Sequence, residues 1–62
     1  MAFDLKKVRE AAGMTQDSLA ERVGVTRQSI GMYENGVNKP SVPVAKAIAE
    51  VLDFDWTNFF AD

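Results

Sequence analysis

The chain has no His and no Cys among its 62 residues, and those two absences decide most of its chemistry. Without them there is no Ser-His or Cys-His nucleophile pair, no imidazole proton shuttle, and no thiolate or imidazole metal site. What remains is nine carboxylates against seven Lys and Arg side chains. Two carboxylates can act as general acid and general base, but only where a concave pocket pushes their pKa values apart. A domain this small has little room for one. The four glycines, Gly13, Gly24, Gly31 and Gly36, spell neither a dinucleotide fingerprint nor a phosphate loop. The expectation is a protein that is not an enzyme, with no cofactor, no metal and no evident small-molecule ligand. Its polar side chains are left to bind rather than to react.

Side chains that bind need elements to hold them. Apolar residues recur at helical spacing almost throughout, and nothing alternates with period two for long enough to suggest a strand. The spacing predicts five short helices. The first carries Leu5, Val8 and Ala12 on one face and ends at Gly13. Thr15 caps the second, whose buried stripe is Leu19, Ala20 and Val23 and which stops at Gly24. Thr26 caps the third, held by Ile30 and Tyr33 and ending near Asn35-Gly36. After a loop from Val37 to Pro40, Ser41 caps the fourth, with Pro43 in its first turn and Val44, Ile48, Val51 and Leu52 facing inward. Asp55 caps a fifth helix, in which Phe59 lies at the offset for a hydrophobic staple with Phe54.

A chain of this length buries only about 60% of the surface its unfolded form exposes, so residues 1–62 are expected to form one domain. Neither a disulfide nor structural zinc is available to staple it. The hydrophobic share of 47% with 26% charged residues fits a globular protein rather than a disordered one. No apolar run approaches the roughly 18 residues of a membrane span, and the N-terminus lacks a signal-peptide layout. The expected location is the cytoplasm, with no membrane partner.

The informative stretch runs from Gln16 to Asn35, QDSLAERVGVTRQSIGMYEN. Two helices crossing steeply over a tight turn need a small residue at the close approach, a positive-φ residue in the turn and an apolar lock on the second helix. Ala20, Gly24 and Ile30 stand at those places, with Leu19, Val23, Val25 and Tyr33 filling the wedge. This is a helix-turn-helix pattern. With Met14-Thr15-Gln16, Tyr33-Glu34-Asn35-Gly36, Lys39-Pro40-Ser41 and Ile48-Ala49-Glu50-Val51-Leu52, the chain from about Leu5 to Phe60 resembles the Cro/cI-type (xenobiotic-response-element) helix-turn-helix family of phage and bacterial transcription regulators.

The resemblance implies an all-α, compact five-helix domain of the lambda-repressor-like DNA-binding type, with helix three in the major groove and helix two across the backbone. Arg27, Gln28 and Met32 would then face base edges. Arg can bond guanine O6 and N7 together, Gln can do the same at adenine N6 and N7, and Met can touch a thymine methyl. Gly31, on the same face, removes bulk for a close approach to DNA. Backbone contacts carry over to Thr15, Gln16, Asn35 and Lys39. Arg9 and Glu34 carry over as a structural ion pair. The chain departs from many family members, which have Lys or Arg where it has Met32 and Val37. Two phosphate contacts are thereby lost, and binding by a single protomer should be weak.

Phe54, Trp56, Phe59 and Phe60 crowd into the last stretch of the chain. A core this small can hardly bury all four, and an exposed apolar patch marks a partner surface. The expectation is a symmetric homodimer through the fifth helix, placing two recognition helices about 34 Å apart on a palindromic operator. The net charge of -2 is unlike the basic footprint of a nucleic-acid binder, yet it is unevenly placed. Residues 1–40 sum to +1 and residues 41–62 to -3. The reading is a sequence-specific regulator of transcription on double-stranded DNA, a repressor because no activation surface is visible. Control would come through concentration, proteolysis or another protein, since no second domain offers a ligand pocket. The alternative is an antitoxin or adaptor-type protein-interaction module on the same fold.

Overall fold

The computed structural model describes residues 3–60, which wind into four α-helices and a short 3-10 turn, with no strand among the described residues. The helices are α1 (Leu5–Ala11), α2 (Gln16–Val23), α3 (Arg27–Asn35) and α4 (Val42–Leu52), and the turn is Trp56–Phe60. The starts of α1, α2 and α3 follow from side-chain capping. The Asp4 carboxylate accepts from the Lys7 N–H at 3.1 Å, and the Thr26 hydroxyl accepts from the Ser29 N–H at 3.0 Å. Thr15 and Ser18 close a reciprocal box in which each side chain accepts from the other's backbone N–H. Each such cap contributes about 1 kcal/mol.

Three expectations are corrected. Ser41 stands at the N-cap of α4 with extended backbone but makes no side-chain cap bond. Pro43 in the first turn lacks one of the N–H groups that a cap oxygen would take. Ala12 is exposed rather than on the buried face, because α1 ends at Ala11 and Ala12 already belongs to its C-cap. The fifth α-helix is a 3-10 turn of five residues. Its winding opens with the Asn58 N–H on the Asp55 carbonyl at 3.0 Å, an i to i+3 bond, and Thr, Asn and Phe are poor helix formers in so short a run. The Asp55 carboxylate still accepts from the Thr57 N–H at 3.0 Å, and Phe54 meets Phe59 edge-on at 5.5 Å between ring centroids.

The core lies where α2, α3 and α4 meet. Leu19, Ile30 and Ile48 have no exposed surface, and Leu5, Ala20, Ala45, Ala49 and Leu52 are buried around them. Burying each large aliphatic side chain contributes roughly 1.5–3 kcal/mol. Gly24, at φ 86°, ends α2 and turns the chain, a conformation that costs most L residues energy and glycine almost none. Ala20 packs into the core cluster with Ile30. Here α2 and α3 make the most extensive helix pairing of the domain. At the far end, Phe3 joins Phe54 and Phe59 in a ring cluster, with centroids 4.7 and 5.2 Å from Phe3.

Candidate nucleic-acid interface

The inner side of α3 is fixed, and the outer side is what remains for a ligand. Ile30 is fully buried, and Tyr33 packs half-buried against the core. Glu34 is drawn inward as well. Arg9 Nε donates to Glu34 Oε2 at 2.6 Å, and the two side chains keep only 9% and 3% of their surface. The Arg9 Nη1 donates to the Met14 carbonyl at 2.8 Å, so a single guanidinium joins α1, the turn before α2, and α3. The hydrogen bond to Glu34 holds the Arg9 pKa above its ordinary value; burial pulls the other way, and the charges of Glu34 and Glu10 add to the rise.

Beyond this buried pair, at the N-terminal end of α3, Arg27 and Gln28 open the helix and are exposed, with Arg27 on the same stripe as Glu34, seven residues before it. One turn on, at i+4 from each, Gly31 and Met32 continue the same face and are half-buried. A Cβ built on Gly31 would meet only the Gln16 Nε2, at 3.8 Å, which is ordinary contact with the end of a flexible side chain. Packing inside the domain therefore does not require glycine there. The Met32 sulfur lies 3.4 Å from Asn38 Nδ2, an N–H···S contact that ties it to the loop after α3.

Residues at the start of α2, at the end of α3 and in the loop after it flank this face. Thr15 is exposed with its hydroxyl engaged in the cap. Gln16 is half-buried and spends one amide N–H on Glu34 Oε1 at 3.0 Å. Its second amide hydrogen and its oxygen remain available. Asn35 and Lys39 are exposed, with Lys39 Nζ 5.9 Å from the centroid of the Phe60 ring. The aromatic group divides. Phe54 and Phe59 turn inward onto Phe3. Trp56 and Phe60 pair with each other at 6.0 Å, Lys46 covers Trp56 at 5.1 Å, and Phe60 keeps 39% of its surface.

Three features escaped the sequence reading. One is the bond from Gln16 to Glu34, which brings α2 into the Arg9–Glu34 cluster. Another is Phe3 as third member of the ring cluster, which lies before the first periodic segment and so leaves no period to read. The last is Asp17, whose Oδ1 lies 3.9 Å from Arg27 Nε, with both side chains exposed. Thr15 and Ser18 at i and i+3 did offer a capping signal, with Ser in place of the usual Glu. Among the described residues no group of His, Cys, Asp or Glu converges as a metal site, and no helix is long and apolar enough to cross a membrane.

A family model described as helix-turn-helix matches residues 5–59. The chain is 50% identical over 58 residues to an uncharacterized HTH-type transcriptional regulator, YqaF, of Bacillus subtilis, covering 94% of this chain and 76% of the relative. It is 48% identical over 48 residues to an uncharacterized HTH-type transcriptional regulator of Methanothermobacter thermautotrophicus, covering 77% and 70%. A further relative, the uncharacterized HTH-type transcriptional regulator y4wC of Sinorhizobium fredii, is 34% identical over 58 residues, and there the match spans 94% of this chain but 41% of the relative. No solved structure matches the chain significantly.

Proposed function

The chain belongs to the Cro/cI-type helix-turn-helix family, and on that premise we propose that it is a sequence-specific repressor that reads the major groove of double-stranded DNA with α3. The observation that carries this is the exposed first turn of α3. Ile30 and Glu34 lock the helix into the domain, while Arg27 and Gln28, two side chains able to make paired hydrogen bonds to purine edges, stand exposed at its N-terminal end. Met32 extends the readout, and Gly31 leaves room for the DNA. Thr15 and Gln16 at the positive end of α2, with Asn35 in the last turn of α3 and Lys39 beyond it, serve the phosphates.

The proposed assembly is a cytoplasmic homodimer on a palindromic operator. The domain is 27 Å in its longest dimension, so two copies side by side can set their recognition helices about 34 Å apart, one turn of DNA. The outer pair Trp56 and Phe60 supplies the contact surface, and Phe54 and Phe59 support it from within. The test is binding to random-sequence duplexes at low salt, followed by selection of sites from a randomised library. The reading expects affinity that falls steeply with salt and a selected site with two-fold symmetry. Absence of DNA binding at low salt refutes it. A second reading, an adaptor or antitoxin module, is favoured by the exposure of Phe60 and Val42, and that outcome would support it.

A further inference from the structure

A carboxylate stands where a DNA-binding surface can least use one. Asp17 lies in the first turn of α2. It lines one open cleft with Thr15 and Gln16, the residues read above as phosphate contacts, and with Arg27. Its side chain is 77% exposed and makes no hydrogen bond among the described residues, so its part in the fold is confined to a favourable charge at the positive end of α2. Nearby phosphates would be repelled by it on every DNA sequence alike. Arg9 and Glu10 line the same cleft, but the basic side chain that comes within 4 Å of Asp17 among the described residues is Arg27, approached at the Nε edge at 3.9 Å. That edge is the one a guanine does not need. The two terminal Nη groups, which can reach O6 and N7 together, are left without a hydrogen-bond partner among the described residues.

We propose that Asp17 is a positioning and specificity-determining residue, a buttress that holds Arg27 for guanine and makes DNA without guanine at that place a poor ligand. The inference rests on the reading of Arg27 as a base contact. On a guanine, the carboxylate steadies the Nε edge while the Nη groups bond the base, and the long side chain no longer has to be ordered by the DNA alone. On any other base the guanidinium has no paired acceptor. Its charge is then partly cancelled by Asp17, so it lends little to general phosphate attraction. Sequence discrimination is thereby obtained by weakening the wrong complexes as well as by strengthening the right one.

The test compares Asp17→Asn, Asp17→Glu and Arg27→Ala with the wild-type chain. The probes are a duplex selected by the wild type from a randomised library and a scrambled duplex of the same composition, at one fixed salt concentration. Asp17→Asn is expected to bind the scrambled duplex about threefold or more tightly than wild type, because a repulsive charge has gone. At the same time its ratio of selected to scrambled affinity is expected to fall about two- to fivefold, the worth of an exposed ion pair that orders Arg27. Asp17→Glu, which keeps the charge and reaches Arg27, should retain the ratio. Equal tightening of Asp17→Asn on both duplexes, or no change on either, overturns the buttress. Arg27→Ala separates the two levels of the argument. A lowered ratio in Arg27→Ala beside an unchanged ratio in Asp17→Asn sinks Asp17 alone, whereas equal losses of Arg27→Ala on both duplexes make Arg27 a phosphate contact and sink the underlying reading with it.

Discussion

Gly31→Ala separates what the fold needs from what a ligand needs. Gly31 sits in the middle of α3, where glycine costs a helix roughly 1 kcal/mol relative to alanine. An added Cβ would find only the Gln16 amide, at 3.8 Å, so no clash opposes that gain. The variant should therefore be more stable than wild type by about 1 kcal/mol, which for a domain this small raises Tm by roughly 4–8 °C. The same methyl group stands on the face shared with Arg27. If the DNA comes as close as the proposed interface requires, the methyl is an overpacked contact that costs about 1–3 kcal/mol of binding, or on the order of ten- to a hundredfold in Kd. Thermal melts followed by circular dichroism give the first number, and titration of a selected duplex gives the second. A variant that is stabilised and binds as well as wild type removes the close approach. A variant that is destabilised contradicts the open space seen beside Gly31.

Other perturbations test the supports of the site. Glu34→Gln strands the buried Arg9 charge and should cost roughly 3 kcal/mol, a large part of the about 3–9 kcal/mol expected for a chain of this length; urea melts would show it, and pairing Arg9→Met with Glu34→Leu should restore most of the loss. Replacing Trp56 or Phe60 by Asp should halve the mass seen by ultracentrifugation, while an unchanged mass moves the proposed dimer contact elsewhere. Bonds from Thr57 to Asp55, backbone first and then hydroxyl, hold that carboxyl below its ordinary value. A depressed carboxyl contributes its stability above the unfolded pKa and loses it as pH falls through the folded one. Trp56 fluorescence should therefore report loosening of the 3-10 turn only below about pH 4, and Asp55→Ala should remove that component.

Most of the fold was legible because helical periodicity and chain punctuation are local signals. Leu19, Ala20, Ile30, Ile48 and Leu52 repeat at helical spacing and form the core. Gly24 and Gly36 end their helices with positive φ. What failed to show was decided by geometry between elements or at their last turn. No period distinguishes an α-turn from a 3-10 turn over Trp56–Phe60. Leu5, Val8 and Ala12 share one helical stripe, yet a two-turn α1 stops before Ala12 and buries the long side chain of Arg9. The outward positions of Gln28 and Met32 were readable from Ile30 and Glu34, since they lie across the helix from that buried stripe, whereas Arg27 lies on the stripe and is exposed because it stands in the first turn of α3. Asp17 was not, because its meeting with Arg27 depends on the crossing of α2 over α3 and on no spacing along either helix.

The central claim is that the exposed side of α3 reads base edges in the major groove, with Arg27 on guanine. Protection of guanine N7 from methylation by dimethyl sulfate reports on that groove directly, base by base, on a duplex selected by the wild-type protein. The account predicts protection at a guanine in each half-site, lost at that guanine and retained elsewhere in the site when Arg27 is replaced by alanine. Unprotected guanines in the bound duplex, or a protection pattern that Arg27→Ala leaves unchanged, would contradict it.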